Sequence, residues 1–166
     1  NFMAENSVKI GIKINKIKLL YLASYHGFNL DDFIKCADTK DNILLVVTLN
    51  DEERFSFLSE QGFRREQDLR NNKKMVMFNL TKKEYKLKNE NDTLNWVTHY
   101  NQYEYVQIGF QCSNSKNYYC IRFISESNKN SKNNNKYYNY IYFITSSYYY
   151  KCDFTYSQIE LYELID

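Results

Sequence analysis

The sequence predicts an α+β fold: a mixed sheet whose first half alternates strand and helix and whose second half is an antiparallel meander. Three observations carry this expectation. Between Val8 and Thr81, short apolar runs alternate with amphipathic segments. From Lys82 to Asp92, "KKEYKLKNEND", the chain is charged and nearly free of apolar side chains. Beyond Tyr103 it turns to aromatic and β-branched runs separated by polar links. A chain of 166 residues has room for one domain with a real core. The expected unit is therefore residues 1–166, with an α/β half at 1–81, a connector at 82–102 and an antiparallel half at 103–166.

"VKIGIKI", Val8 to Ile14, alternates as a strand does, and "KIKLLYLAS", Lys16 to Ser24, is a short apolar run that fits a buried strand. Asn29 stands where an N-cap oxygen would accept from a free amide. Asp31 and Asp32 fill the first turn, and Leu30, Phe33, Ile34 and Ala37 recur at helical spacing, which predicts a helix. "NILLVVTL", Asn42 to Leu49, is apolar without alternation and predicts a strand covered on both faces in the middle of a sheet. Asn50 with Glu53 has capping-box spacing, Phe55 and Leu58 supply a stripe, and Gly62 supplies a stop, so a second helix is expected here. "KKMVMFNLT", Lys73 to Thr81, supplies the next strand, and the alternation implies a right-handed parallel crossover. In the second half, strands are expected in the runs that start at Tyr103, Asn117, Tyr137 and Tyr148. The polar link Asn128 to Lys136 reads as a hairpin loop.

The charge balance is near zero: Lys and Arg total 22 against 20 Asp and Glu, for a formal charge of +2. No field of that size argues for a nucleic-acid partner. No apolar run reaches bilayer-spanning length, and Asn1-Phe2-Met3 lacks the regions of a signal peptide. A start at Asn suggests a fragment or a processed product, and an intracellular setting is favoured. Cys36, Cys112, Cys120 and Cys152 show no metal-ligand spacing, so no metal is expected. Cys36 reads as a small core hydrophobe. Cys112 and Cys120 flank a turn and are expected to be reduced, with a disulfide between them as the alternative. His26 precedes Gly27 at a strand-to-helix junction, where ligands often meet backbone amides, but it reads as a turn histidine. Trp96 reads as core. The 17 tyrosines lack the cationic residues of a base-stacking groove, and Tyr140 and Tyr142 are the expected anchors for a protein partner.

The order of "KIKLLYLAS", the turn "YHGFN", a helix, "ILLVVTL", "NDEERFSFLSEQ", "GF" and "KKMVMFNLT" resembles the C-terminal half of the GNAT superfamily of N-acetyltransferases, from Lys16 to Thr81. The resemblance implies a GNAT-like α/β half in which His26 and Gly27 begin the loop that wraps the acetyl-CoA pyrophosphate. Asn29 and Asp31 stand where that loop carries later glycines, Asp32 adds negative charge, and Leu58 occupies the position of the proton-donating tyrosine. What it implies is thus a degenerate, non-catalytic GNAT-like interaction or structural module, part of a larger protein or complex, with no cofactor and a protein partner. Two alternatives stay open: an acyl-CoA dependent N-acyltransferase holding acetyl-CoA at His26 and Gly27, and a secreted β-rich binding domain with a Cys112–Cys120 disulfide.

Overall fold

The computed structural model describes residues 2–9, 11–27, 30–63, 74–88, 94–100, 105–111, 118–124, 141–143 and 156–165. In chain order they form α1 (Phe2–Lys9), β1 (Lys16–Leu22), α2 (Ala23–His26), α3 (Leu30–Ala37), β2 (Ile43–Leu49), β3 (Arg54–Ser59) and β4 (Met75–Asn79). Then follow β5 (Glu84–Leu87), β6 (Leu94–Tyr100), β7 (Tyr105–Gln111), β8 (Tyr118–Ile124), β9 (Ile141–Phe143) and β10 (Tyr156–Ile165). The fold is α+β, with a six-stranded sheet in the order β1-β10-β2-β3-β4-β5 and a four-stranded sheet in the order β6-β7-β8-β9. Every described strand pair is antiparallel.

The strands expected from Tyr103, Asn117 and Tyr137 form as β7, β8 and β9, the run from Tyr148 lies outside the described residues as far as Thr155, and the helix at Leu30–Ala37 and the strand at Ile43–Leu49 form where expected. β2 is inner and buried on both faces: Leu45 and Val47 pack into one cluster and Leu44 and Val46 into another. The larger cluster lies between the sheets. It joins Phe55, Phe57 and Met75 to Val106, Ile108 and Phe110 of β7 and Ile121 of β8, with Phe33 and Ile34 of α3 packed at its side. The smaller cluster lies on the opposite face of the six-stranded sheet, where Phe2 and Met3 of α1 close over Leu58, Val76 and Phe78.

Four expectations are corrected by this architecture. The GNAT-like α/β half with its parallel crossover is replaced by an antiparallel sheet. The helix expected from Asn50 to Gly62 is a hairpin: Leu49 N–H donates to Glu53 O at 2.8 Å, Glu52 takes φ 68°, and Asp51 Oδ1 accepts from Glu53 N–H at 3.1 Å. Asx-type bonding stabilises turns as readily as it caps helices, so the Asn50–Glu53 spacing served the turn. The strand expected at Val8 to Ile14 is instead the end of α1. There Ile12 N–H donates to Ser7 O at 2.9 Å and Gly11 N–H to Val8 O at 3.1 Å, a Schellman closure that needs Gly11 at φ 73°. Finally β1 is not buried, since Lys16 to Leu19 are all exposed and full burial begins at Tyr21.

Three further strands depart from the expected organisation. β5 and β6 both lie inside the expected connector. β10 leaves the second half and runs between β1 and β2, with Leu161 opposite Leu45 and Tyr162 opposite Leu44. Ser157 is an extra residue against β2, a bulge whose hydroxyl lies 3.3 Å from the carbonyls of both Thr48 and Leu49. Leu161 is fully buried at the centre of this insertion. Leu161→Ala is expected to lower unfolding free energy by about 2–5 kcal/mol, as a cavity between two sheets demands. Val8→Ser, at an exposed site, is expected to change it by less than about 0.5 kcal/mol. Urea denaturation of both variants checks this pair of outcomes.

Candidate functional site

β1 determines what the His26–Gly27 turn can do. Its register against β10 steps from Leu19–Tyr162 to Tyr21–Leu161, so Leu20 is an extra residue. That bulge turns Tyr21 into the inter-sheet core while Leu19 stays on the α1 face. Tyr21 then donates its hydroxyl to Gly27 O at 2.5 Å and stacks on the His26 ring at a centroid distance of 5.6 Å. Tyr25 meets the same ring edge-on at 4.9 Å. His26 Nδ1 lies 3.0 Å from the Leu22 amide nitrogen and 3.2 Å from the Leu22 carbonyl oxygen, so the ring folds back on the residue that precedes α2.

This turn is tied up by its own contacts. Gly27 N–H donates to Ala23 O at 2.9 Å, its carbonyl is taken by Tyr21, and a side chain there would meet Asp32 Oδ2 at 3.3 Å. Asp31 and Asp32 both stand at the start of α3, and Lys35 Nζ approaches Asp32 Oδ1 at 3.3 Å. The Gly27 amide and carbonyl are thus both engaged within the turn, with the Asp32 carboxylate beside it. Burial first, then the charges of Tyr156, Asp32 and Cys36, raise the Tyr21 phenol well above its ordinary range. Burial and Asp32 raise the Cys36 thiol, with Lys35 opposing, so it is a neutral thiol and a poor nucleophile.

The remaining expected site residues fall as follows. Asn29, Cys112, Cys152, Tyr140 and the link 128–136 lie outside the described residues. Cys120 pairs with Gly109 in register, and Tyr142 stands opposite Arg122. Leu58 is fully buried in β3. Gly62, expected to stop a helix, donates its N–H to Asp41 Oδ1 at 2.9 Å, and Phe63 packs edge-on against Phe33 at 5.2 Å. Among the described residues no cluster of His, Cys, Asp or Glu has the geometry to hold a metal, and no helix is long and apolar enough to cross a membrane.

The opposite face of the six-stranded sheet carries a feature that the sequence pattern did not isolate. The registers align Leu19, Tyr162, Leu44, Leu58, Val76 and Leu87 in one apolar row that crosses all six strands. Six strands span about 24 Å, whereas a helix of 8 residues such as α1 is about 12 Å long and about 10 Å across. The middle of the row is therefore covered and its ends are not: Leu19 is 45% exposed with Ile17 at 47%, and Leu87 is 38% exposed with Tyr85 at 39%. Toward one margin Glu160 accepts the Tyr162 hydroxyl and stands 3.8 Å from Arg54. Burial, then the hydrogen bond and charge of Glu160, push Tyr162 up to about 12 against the pull of Arg54.

The model of the TLDc domain matches residues 2–165. No curated protein matches the chain. The match overturns the GNAT resemblance and with it the acetyltransferase reading. The element order that suggested them relied on a helix at residues 50–61 where the chain forms a β-hairpin.

The buried phenols give the site a pH signature. Tyr156 is pushed up to about 12 by burial, above the value of about 10 it takes in an unfolded chain. Folding thus favours the neutral phenol, a contribution that is complete below about pH 10 and lost as pH rises toward about 12. The urea midpoint is expected to fall across that window, with phenolate absorbance rising together with unfolding. Tyr156→Phe is expected to make the fall shallower.

Proposed function

We propose that this chain, which belongs to the TLDc domain family, works as a non-enzymatic interaction module of a larger protein or complex. TLDc domains are usually non-enzymatic parts of larger proteins and often serve in protein interaction. The observation that carries the reading is the apolar row whose two ends α1 leaves exposed at Ile17 and Leu19 and at Tyr85 and Leu87. Apolar side chains aligned on one sheet face beyond the reach of their own cover are what a partner surface supplies. Tyr142, on β9, is a second contact position on the other sheet. No acetyl-CoA is bound at His26 and Gly27 on this reading, because the Gly27 amide already has an acceptor.

Replacement of Ile17 and Leu19 together by Ser, and separately of Tyr85 and Leu87 by Ser, tests this reading. Each double variant is expected to keep its melting temperature within a few degrees, as exposed sites do, and at least one is expected to lose proteins that co-purify with the parent chain from its own cells. Tyr142→Ser is the parallel variant for the second sheet. Retention of every partner by all three variants contradicts the interaction reading. So does a saturable rise in melting temperature with millimolar acetyl-CoA, since only a ligand of the native state shifts it.

A further inference from the structure

We propose that the free edge of β1, Lys16 to Leu19, is a strand-addition site for an extended partner segment in which acidic and apolar residues alternate. This rests on the interaction-module reading and gives it a place and a chemistry. Among the described residues β1 is hydrogen-bonded on one side only, to β10. Lys16, Ile17, Lys18 and Leu19 are exposed in succession, so neither α2 nor α3 roofs this part of the strand. A strand in that position presents a row of backbone donors and acceptors that templates another strand. The bulge at Leu20 marks its end, because beyond it Tyr21 turns into the core.

The side chains choose the occupant. Ile17 and Leu19 share a face with Leu164 and Tyr162, their partners in register, so apolar residues of an added strand continue the existing row. Lys16 and Lys18 project from the other face, and Lys13 is exposed just before the strand. Glu163 lies opposite Lys18, but Lys40 stands 3.7 Å from its carboxylate. The edge therefore carries lysines at every second position and no acid of its own. A second copy added along the same edge brings lysine against lysine, which opposes self-pairing. An incoming strand with Glu or Asp at alternate positions meets each lysine with an opposite charge and gains in encounter rate and specificity. The other margin lacks this selection, because β5 carries Glu84 and Lys86 side by side on one face.

The test uses the chain of 166 residues and a dye-labelled peptide of alternating Glu and Val, with Lys–Val and Ser–Val peptides as controls. Fluorescence anisotropy is expected to show tightest binding of the Glu–Val peptide, weakened severalfold as ionic strength rises from about 0.05 to about 0.5 M. Lys16→Glu with Lys18→Glu is expected to weaken it by roughly tenfold or more, with a melting curve matching the parent. Hydrogen exchange is expected to slow at amides 16–19 when the peptide is bound. The proposal is overturned by equal binding of the Lys–Val peptide, by indifference to the double charge reversal, or by protection that appears on β5 instead. Sedimentation that shows the chain pairing with itself through β1 also overturns it. Partner loss on replacing Ile17 and Leu19, with no binding of the Glu–Val peptide, sinks strand addition and leaves the module reading standing.

Discussion

The structure depends on β10 lying between β1 and β2. Among the described residues β1 is attached to the six-stranded sheet through β10 alone, so the first strand of the chain holds its place only through the last one. Pairing of Leu19 with Tyr162 and of Tyr21 with Leu161 closes loops that span most of the sequence. Such closure costs conformational entropy before any contact is gained. What offsets it is burial: Leu161 and Ile159 enter the inter-sheet core next to Leu45 and Val47, their partners in register, and Tyr156 enters it beside Leu49. The pairings β2–β3, β3–β4 and β4–β5 are local by comparison, and β10 joins them along β2.

Two bulges adapt this insertion to the two faces. Ser157 on β10 and Leu20 on β1 each add one residue to one side of a ladder. Since side chains alternate, one added residue exchanges the faces of everything beyond it. Past Leu20, Tyr21 points into the core and can reach Gly27 O, while Leu19 stays on the α1 face. Ser157 spaces Tyr156 and Ile159 so that both are buried in the same cluster. The internal clamp of Tyr21, His26 and Gly27 and the exposed margin of Ile17 and Leu19 are thus two outcomes of a single extra leucine.

Those bulges also explain which parts of the fold were legible. α3 was readable because Phe33, Ile34 and Ala37 keep a strict helical spacing, and β2 because burial on both faces removes alternation. β10 was not, since its buried residues Tyr156, Ile159 and Leu161 fall at intervals of neither strand nor helix until the bulge is known. The β2–β3 hairpin was misread because Asn50, Asp51 and Glu53 suit an Asx turn and a helix N-terminus alike. Only the register decides that Phe55 and Phe57 face one cluster while Leu58 faces the other. Gly62-Phe63 was likewise visible as a punctuation mark but not as a tie between Asp41 and the core. For the candidate site, the His26–Gly27 pair was conspicuous in sequence. The engagement of the Gly27 amide by Ala23 and of its carbonyl by Tyr21 is a tertiary fact. The apolar row is also invisible in sequence, because it takes one residue from each of six strands.

That row separates two requirements usually met together, a stable core and a quiet surface. The core requirement is satisfied between the sheets, where Phe57, Phe110 and Leu161 are all fully buried. The face under α1 contributes its own cluster but extends past the helix in both directions, for the geometric reason that one short helix cannot span six strands. A protein that needed only solubility would place polar residues at Leu19 and Leu87, as their neighbours Lys18 and Lys86 show is compatible with each strand. Interleaving lysine with the exposed apolar residues instead restrains edge-to-edge association while the apolar face remains available. Charge and hydrophobicity are in this way assigned to opposite faces of the same strand, and the selectivity of the edge follows from the pleat itself.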